Sequence, residues 1–76
     1  MDNRQIREEI DKYSADHIVR LIDQYIHSER DRAILKRKLL DDIVFEKMEE
    51  EFTLSVRRLK SIVYKGQEKI FRHISE

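Results

Sequence analysis

Between Ser55 and His73 the chain carries Arg57, Arg58, Lys60, Lys65, Lys69 and Arg72 against the single acid Glu68. Guanidinium and ammonium groups so spaced suit the neutralisation of phosphates, and an arginine can also read guanine through two parallel hydrogen bonds. Ser61 and Tyr64 lie in the same stretch and add hydroxyls able to bond phosphate or a base edge. Other chemistries have thin support. His17, His27 and His73 are too far apart for a local metal motif, and the chain has neither cysteine nor a His-Glu-x-x-His pattern, so metal ligation is not expected. Glu49, Glu50 and Glu51 form a run with no sign of an enclosing pocket to tune a carboxyl for acid–base work. No nucleophile constellation, Gly-rich phosphate loop or cofactor fingerprint occurs. The expectation is a binding protein without a cofactor rather than an enzyme.

Basic side chains recognise a partner only if a scaffold holds them on one face. The 76 residues are enough for one domain, which at this size buries only roughly 60% of the surface its unfolded chain exposes. Proline is absent and Gly66 is the single glycine, so the tight turns of a β-rich fold lack suitable residues and an all-α fold follows. Sixteen basic residues balance sixteen acidic ones. Net charge therefore carries no argument for nucleic acid, and the distribution of charge has to decide. No apolar run approaches the roughly 20 residues that span a bilayer, and the first residues do not resemble a signal peptide. The absence of cysteine fits a cytoplasmic protein, and no membrane partner is expected.

Helical spacing divides the chain into four or five segments. Ile6, Ile10 and Tyr13 follow Asp2 and Asn3, either of which can cap a short first helix with little stability of its own. Ile18, Leu21, Ile22, Tyr25 and Ile26 give a second helix, starting at Ser14 or Asp16, with a continuous apolar stripe. Ser28 and Asp31 resemble a capping box with Asp in place of Glu, opening a third helix that carries Ala33, Ile34, Leu35, Leu39 and Leu40 and ends near Asp41 and Asp42. Phe45, Met48 and Phe52 define a fourth helix of barely two turns. After a sharp connection at Thr53 and Leu54, Ser55 caps the longest helix, with Val56, Leu59, Ile62, Val63, Gly66, Ile70 and Ile74 along or beside one face. Phe52, Leu54, Leu59 and Ile62 are expected in the core.

A short helix, a turn of about three residues and a longer helix starting at a serine cap make a helix-turn-helix, whose second helix would enter the major groove of DNA. The spacing then assigns Arg57, Lys60 and Ser61 to the groove. Arg58, Tyr64 and Lys65 fall to backbone phosphates or the groove wall. A bidentate contact from Arg57 to guanine would contribute roughly 1–3 kcal/mol of discrimination. The competing reading is a helical protein-interaction module, possible also as a homodimer, in which the stripe from Ile18 to Ile26 or the segment Ile70, Phe71 and Ile74 packs on another chain. The basic bias after Ser55 favours DNA, and the acidic helix at Glu46 to Glu51 favours the rival.

From Arg30 to His73 the chain also resembles the fourth conserved region of sigma-70 family transcription initiation factors, including small phage and mobile-element proteins that carry such a region alone. The resemblance rests on Glu29-Arg30-Asp31-Arg32-Ala33-Ile34-Leu35, Phe45-Glu46-Lys47-Met48, Phe52-Thr53-Leu54-Ser55, Arg58-Leu59-Lys60-Ser61-Ile62 and Lys69-Ile70-Phe71-Arg72. It implies a bacterial transcription regulator whose helix after Ser55 recognises a promoter-like element, with RNA polymerase as a further partner. Nothing resembles the part of sigma factors that melts promoters, so the expectation is not a complete sigma factor, and residues 1–29 fall outside the strong match. The chain departs from the family at three places. Asp42 stands where glycine is usual and tolerates a left-handed turn less readily. Val44 replaces a capping Thr, at about 1 kcal/mol of local stability. Glu49 replaces a small residue between the two helices of the motif, where a buried carboxylate would need a Lys or Arg partner or would splay the helices.

Overall fold

Helices in this chain start where a short polar side chain takes up an amide that the first turn leaves without a partner. In the computed structural model, which describes residues 2–75, Asp2 caps α1 (Asn3–Ile10), Ser14 caps α2 (Ala15–Tyr25), Ser28 caps α3 (Glu29–Leu39) and Ser55 caps α5 (Val56–His73). The exception is α4 (Phe45–Phe52), where Val44 offers no side-chain bond. There the amides of Lys47 and Met48 both turn back to the Val44 carbonyl, at 3.1 and 3.2 Å. The five helices form a small all-α bundle with no strand among the described residues.

The first helix is anchored better than its length suggests. Asp2 Oδ1 accepts from the Gln5 amide at 2.9 Å and Gln5 Oε1 accepts from the Asp2 amide at 3.2 Å, closing a capping box. Ile6 and Ile10 are buried and α1 packs on α5. Tyr13 does not join that face: the helix stops at Ile10, and Tyr13, 39% exposed, stacks on His17 at 5.1 Å.

The organising element is α5, which touches all four other helices, while α2 packs also on α3. Its 18 residues extend about 27 Å at 1.5 Å per residue, most of the molecule's 34 Å long axis. Leu59, Val63, Ile70 and Ile74 face inward against Ile18, Leu21 and Ile22 of α2, Ile34, Leu35 and Leu39 of α3, and Met48 of α4. The α2 stripe and the Ile70 and Ile74 positions, which the sequence offers to a protein partner, are thereby covered within the same chain.

Several expected core positions sit elsewhere. Phe52, Leu54 and Ile62 are half-buried and close the edge of the core, with only Leu59 of that group fully inside. Ala33 and Leu40 are exposed. Ala33 lies about 100° around the helix from Ile34 and so points away from α5. Leu40 follows the last helical residue, just before Asp42 turns the backbone with φ 52°. Gly66 sits where α5 approaches α3 most closely: a Cβ there would lie 2.5 Å from Leu35 Cδ1. At the far end, His17 Nε2 donates to the Ile74 carbonyl at 2.8 Å and the rings of Tyr25 and His73 stack at 3.7 Å, tying the end of α5 to α2.

Candidate nucleic-acid interface

The motif is built from α4, the residues Thr53, Leu54 and Ser55, and α5. Thr53 makes the turn by adopting left-handed backbone angles, φ 54° and ψ 41°, a conformation rare for a β-branched residue. Leu54 packs on the core edge, and Ser55 Oγ accepts from the Arg58 amide at 3.1 Å. Glu49 resolves differently from either outcome its position suggests. It is exposed, no Lys or Arg pairs with it, and its Oε2 accepts from the Val56 amide at 3.0 Å. Two first-turn amides of α5 are thus held, one from its own cap and one from the preceding helix.

The exposed face of α5 carries Arg57, Arg58, Lys60, Lys65, Lys69 and Arg72. None of the six pairs with a carboxylate of the described residues. Elsewhere Arg4, Arg7, Lys12, Arg30, Lys36 and Arg37 do, Arg32 and Lys38 donate to backbone carbonyls, and Arg20 and Lys47 are exposed without a carboxylate partner among the described residues. Exposed pairs of this kind add little stability. Their effect is on the field: eight of the acids on α1 to α4 and their connections are matched close to home, while on α5 six bases stand against the single exposed acid Glu68. The acidic run on α4 is partly absorbed the same way. Glu51 is held by Arg37, with Arg37 Nη2 to Glu51 Oε1 at 2.8 Å, and these hydrogen bonds keep the Glu51 carboxyl below its ordinary value. Glu46 and Glu50 remain exposed.

The basic face divides around α5 differently from the partition that spacing alone suggests. Arg58, Ser61 and Lys65 line one flank, across a groove of about 340 Å³ from His27, Arg30 and Asp31 at the start of α3. Lys60 and Tyr64 lie on the other flank beside Phe45. The Tyr64 and Phe45 rings meet edge to face at 6.4 Å, and Lys60 Nζ stands 5.8 Å from the Phe45 ring centre. Ser61 therefore accompanies Arg58 and Lys65 rather than Lys60, and Tyr64 is half-buried rather than free. Arg30 and Lys69 belong to the first flank as well. Sequence reasoning placed neither there: Ser28 marks where α3 starts, but its position beside the middle of α5 is a matter of helix packing.

An all-helical domain results, with a helix-turn-helix whose second helix bears a basic face that the described residues leave unneutralised. No family model, curated protein or solved structure matches the chain. Among the described residues no three His, Asp or Glu side chains gather as a metal site. No described helix is long and apolar enough to cross a membrane.

Proposed function

We propose that the protein is a small transcription regulator that binds double-stranded DNA sequence-specifically, with α5 in the major groove. The observation that carries this reading is the set of six basic side chains on the exposed face of α5 without carboxylate partners among the described residues. Positive charge left uncompensated over a helix of this length suits a polyanion. In this reading Arg57, near the start of the helix, contacts base edges together with Lys60, with Ser61 reaching them from the Arg58 flank. Arg58 and Lys65 neutralise phosphates along one wall, and Tyr64 supports the other. No cofactor and no catalytic step are involved.

Anisotropy of a labelled duplex, titrated at several salt concentrations, tests the proposal beside an Arg57→Ala, Lys60→Ala double variant. Binding should weaken log-linearly with salt, and the variant should show a shallower slope, by about 2 if both side chains touch phosphate. Absence of saturable binding at low salt would sink it. A second reading, a protein-interaction module that contacts RNA polymerase, draws on Val44 and Leu40, 53% and 36% exposed at the junction of α3 and α4 beside the free Glu46.

A further inference from the structure

Gln67 is the buried polar residue of the core, 3% exposed, and its amide has no hydrogen-bond partner among the described residues. No side-chain nitrogen or oxygen of the described residues is both enclosed and unpaired, so the Gln67 amide keeps access to water although the residue is buried. It lines a pocket of about 290 Å³ where α1, α3, α4 and α5 meet. Around it stand Asn3, Arg4, Arg7 and the Glu8 carboxylate from α1, Lys38 from α3, Phe45 from α4 and Tyr64 from α5.

The chemistry of these groups is specific. A glutamine amide presents a donor and an acceptor side by side in one plane, complementary to the adjacent N6 amino group and N7 of adenine. Phe45 and Tyr64, edge to face at 6.4 Å, offer an aromatic flank for a flat ring. Lys38 Nζ is already engaged by the Ile43 carbonyl and the Phe45 ring, but Arg4 is held only by a 3.9 Å contact to Glu8 and its side chain is 91% exposed. That contact is long and exposed, so Arg4 exchanges Glu8 for a phosphate at the rim at little cost. The volume is at the small end of ligand pockets, about 300–1,000 Å³, and suits one nucleotide.

We propose that the pocket joining α1 to the helix-turn-helix binds an adenine nucleotide, with the base edge on the Gln67 amide and the phosphate on Arg4. The site lies on the Tyr64 flank of α5, away from the Arg58 groove, and its occupation requires no DNA. Bound there, the nucleotide bridges α1 to both helices of the motif and gives residues 1–29 a regulatory role.

The test is an NMR titration of the full-length ¹⁵N-labelled protein with adenosine 5′-monophosphate, following the Gln67 side-chain amide, with ribose 5-phosphate and adenosine as comparators. Saturable shifts of that amide are expected, weakened about tenfold or more in Gln67→Met, which keeps side-chain volume and removes the amide pair. Arg4→Ala, an exposed change that leaves the core intact, should weaken the nucleotide several-fold, roughly as for one charge-assisted contact, and leave adenosine unchanged. No saturable shift up to about 5 mM nucleotide, equal binding of ribose 5-phosphate, or unaltered affinity in folded Gln67→Met would each overturn the proposal and leave the pocket to water.

Discussion

The Glu49 carboxylate on α4 accepts a hydrogen bond from the backbone amide of Val56, the first residue of α5, at 3.0 Å. A side chain from one helix of the motif thereby caps the next and fixes the angle between them across a connection of three residues. Negative charge at a helix start is favourable in itself, because the unpaired amides there carry partial positive charge. Glu49→Ala should lower unfolding free energy by about 0.5–1 kcal/mol, and Glu49→Gln should recover about half of that through its carbonyl oxygen. Urea denaturation of the three proteins decides the matter. Equal stability of all three would mean that the bond contributes nothing in solution.

Thr53 holds φ 54° at the turn of the motif, where its Cβ crowds the backbone and glycine would not. Thr53→Gly is expected to stabilise the protein by about 1 kcal/mol, seen as a raised midpoint in thermal melts. A lowered midpoint would show that Thr53 contributes contacts outweighing its backbone strain.

Gly66 behaves in the opposite sense. Alanine is the better helix former by about 1 kcal/mol, but its methyl group would meet Leu35 Cδ1 at 2.5 Å, and Leu35 is fully enclosed. Overpacking of this kind costs about 1–3 kcal/mol. Gly66→Ala should therefore leave the protein less stable by about 1 kcal/mol, and Gly66→Ala with Leu35→Val should recover part of the loss. Denaturant titrations showing Gly66→Ala at or above the parent would refute the crowding argument.

Acid should act through the pair of Arg37 and Glu51. Hydrogen bonds from the guanidinium hold the folded-state Glu51 carboxyl below its ordinary value of 4.5. The unfolded chain therefore takes up that proton first as pH falls. Stabilisation from the pair is fully present above the ordinary value and disappears as pH drops through the lowered one. In Arg37→Gln the decline in Tm between about pH 7 and about pH 3 should be smaller than in the parent. Parallel declines would assign the acid sensitivity to other carboxylates.

If α5 lies in the major groove, the flank formed by Arg58 and Lys65 meets the phosphate backbone, and its loss should be blind to sequence. Arg58→Ala with Lys65→Ala is expected to weaken matched and random duplexes equally and to reduce the salt slope by about 2. Arg57→Ala should instead narrow the gap between matched and random DNA. Competition binding reads both effects, and a flank variant that loses only the matched site would reverse the two roles.

Helix starts and the inward periodic positions were legible in the sequence by itself, while the ends of α1 before Tyr13 and of α3 before Leu40 were not. Helix starts at Ser14, Ser28 and Ser55 and the inward Ile22, Leu35, Met48 and Leu59 follow from a capping oxygen or a 3.6-residue period, each a property of one short segment. So does the concentration of basic residues on α5, since their number and spacing along the helix are read directly from the chain.

Tertiary structure decided what depends on two segments at once. Ser61 faces Arg30 and Tyr64 faces Phe45 because α3 and α4 flank α5 on opposite sides, a choice of crossing geometry that periodicity does not encode. Glu49 finds a backbone amide, a partner without residue identity and so without a sequence signal. Ala33 and Leu40 have apolar side chains and still face solvent, because burial depends on which neighbours arrive and where the helix ends. The Gln67 pocket exists only where four helices meet, and no single stretch of chain announces it.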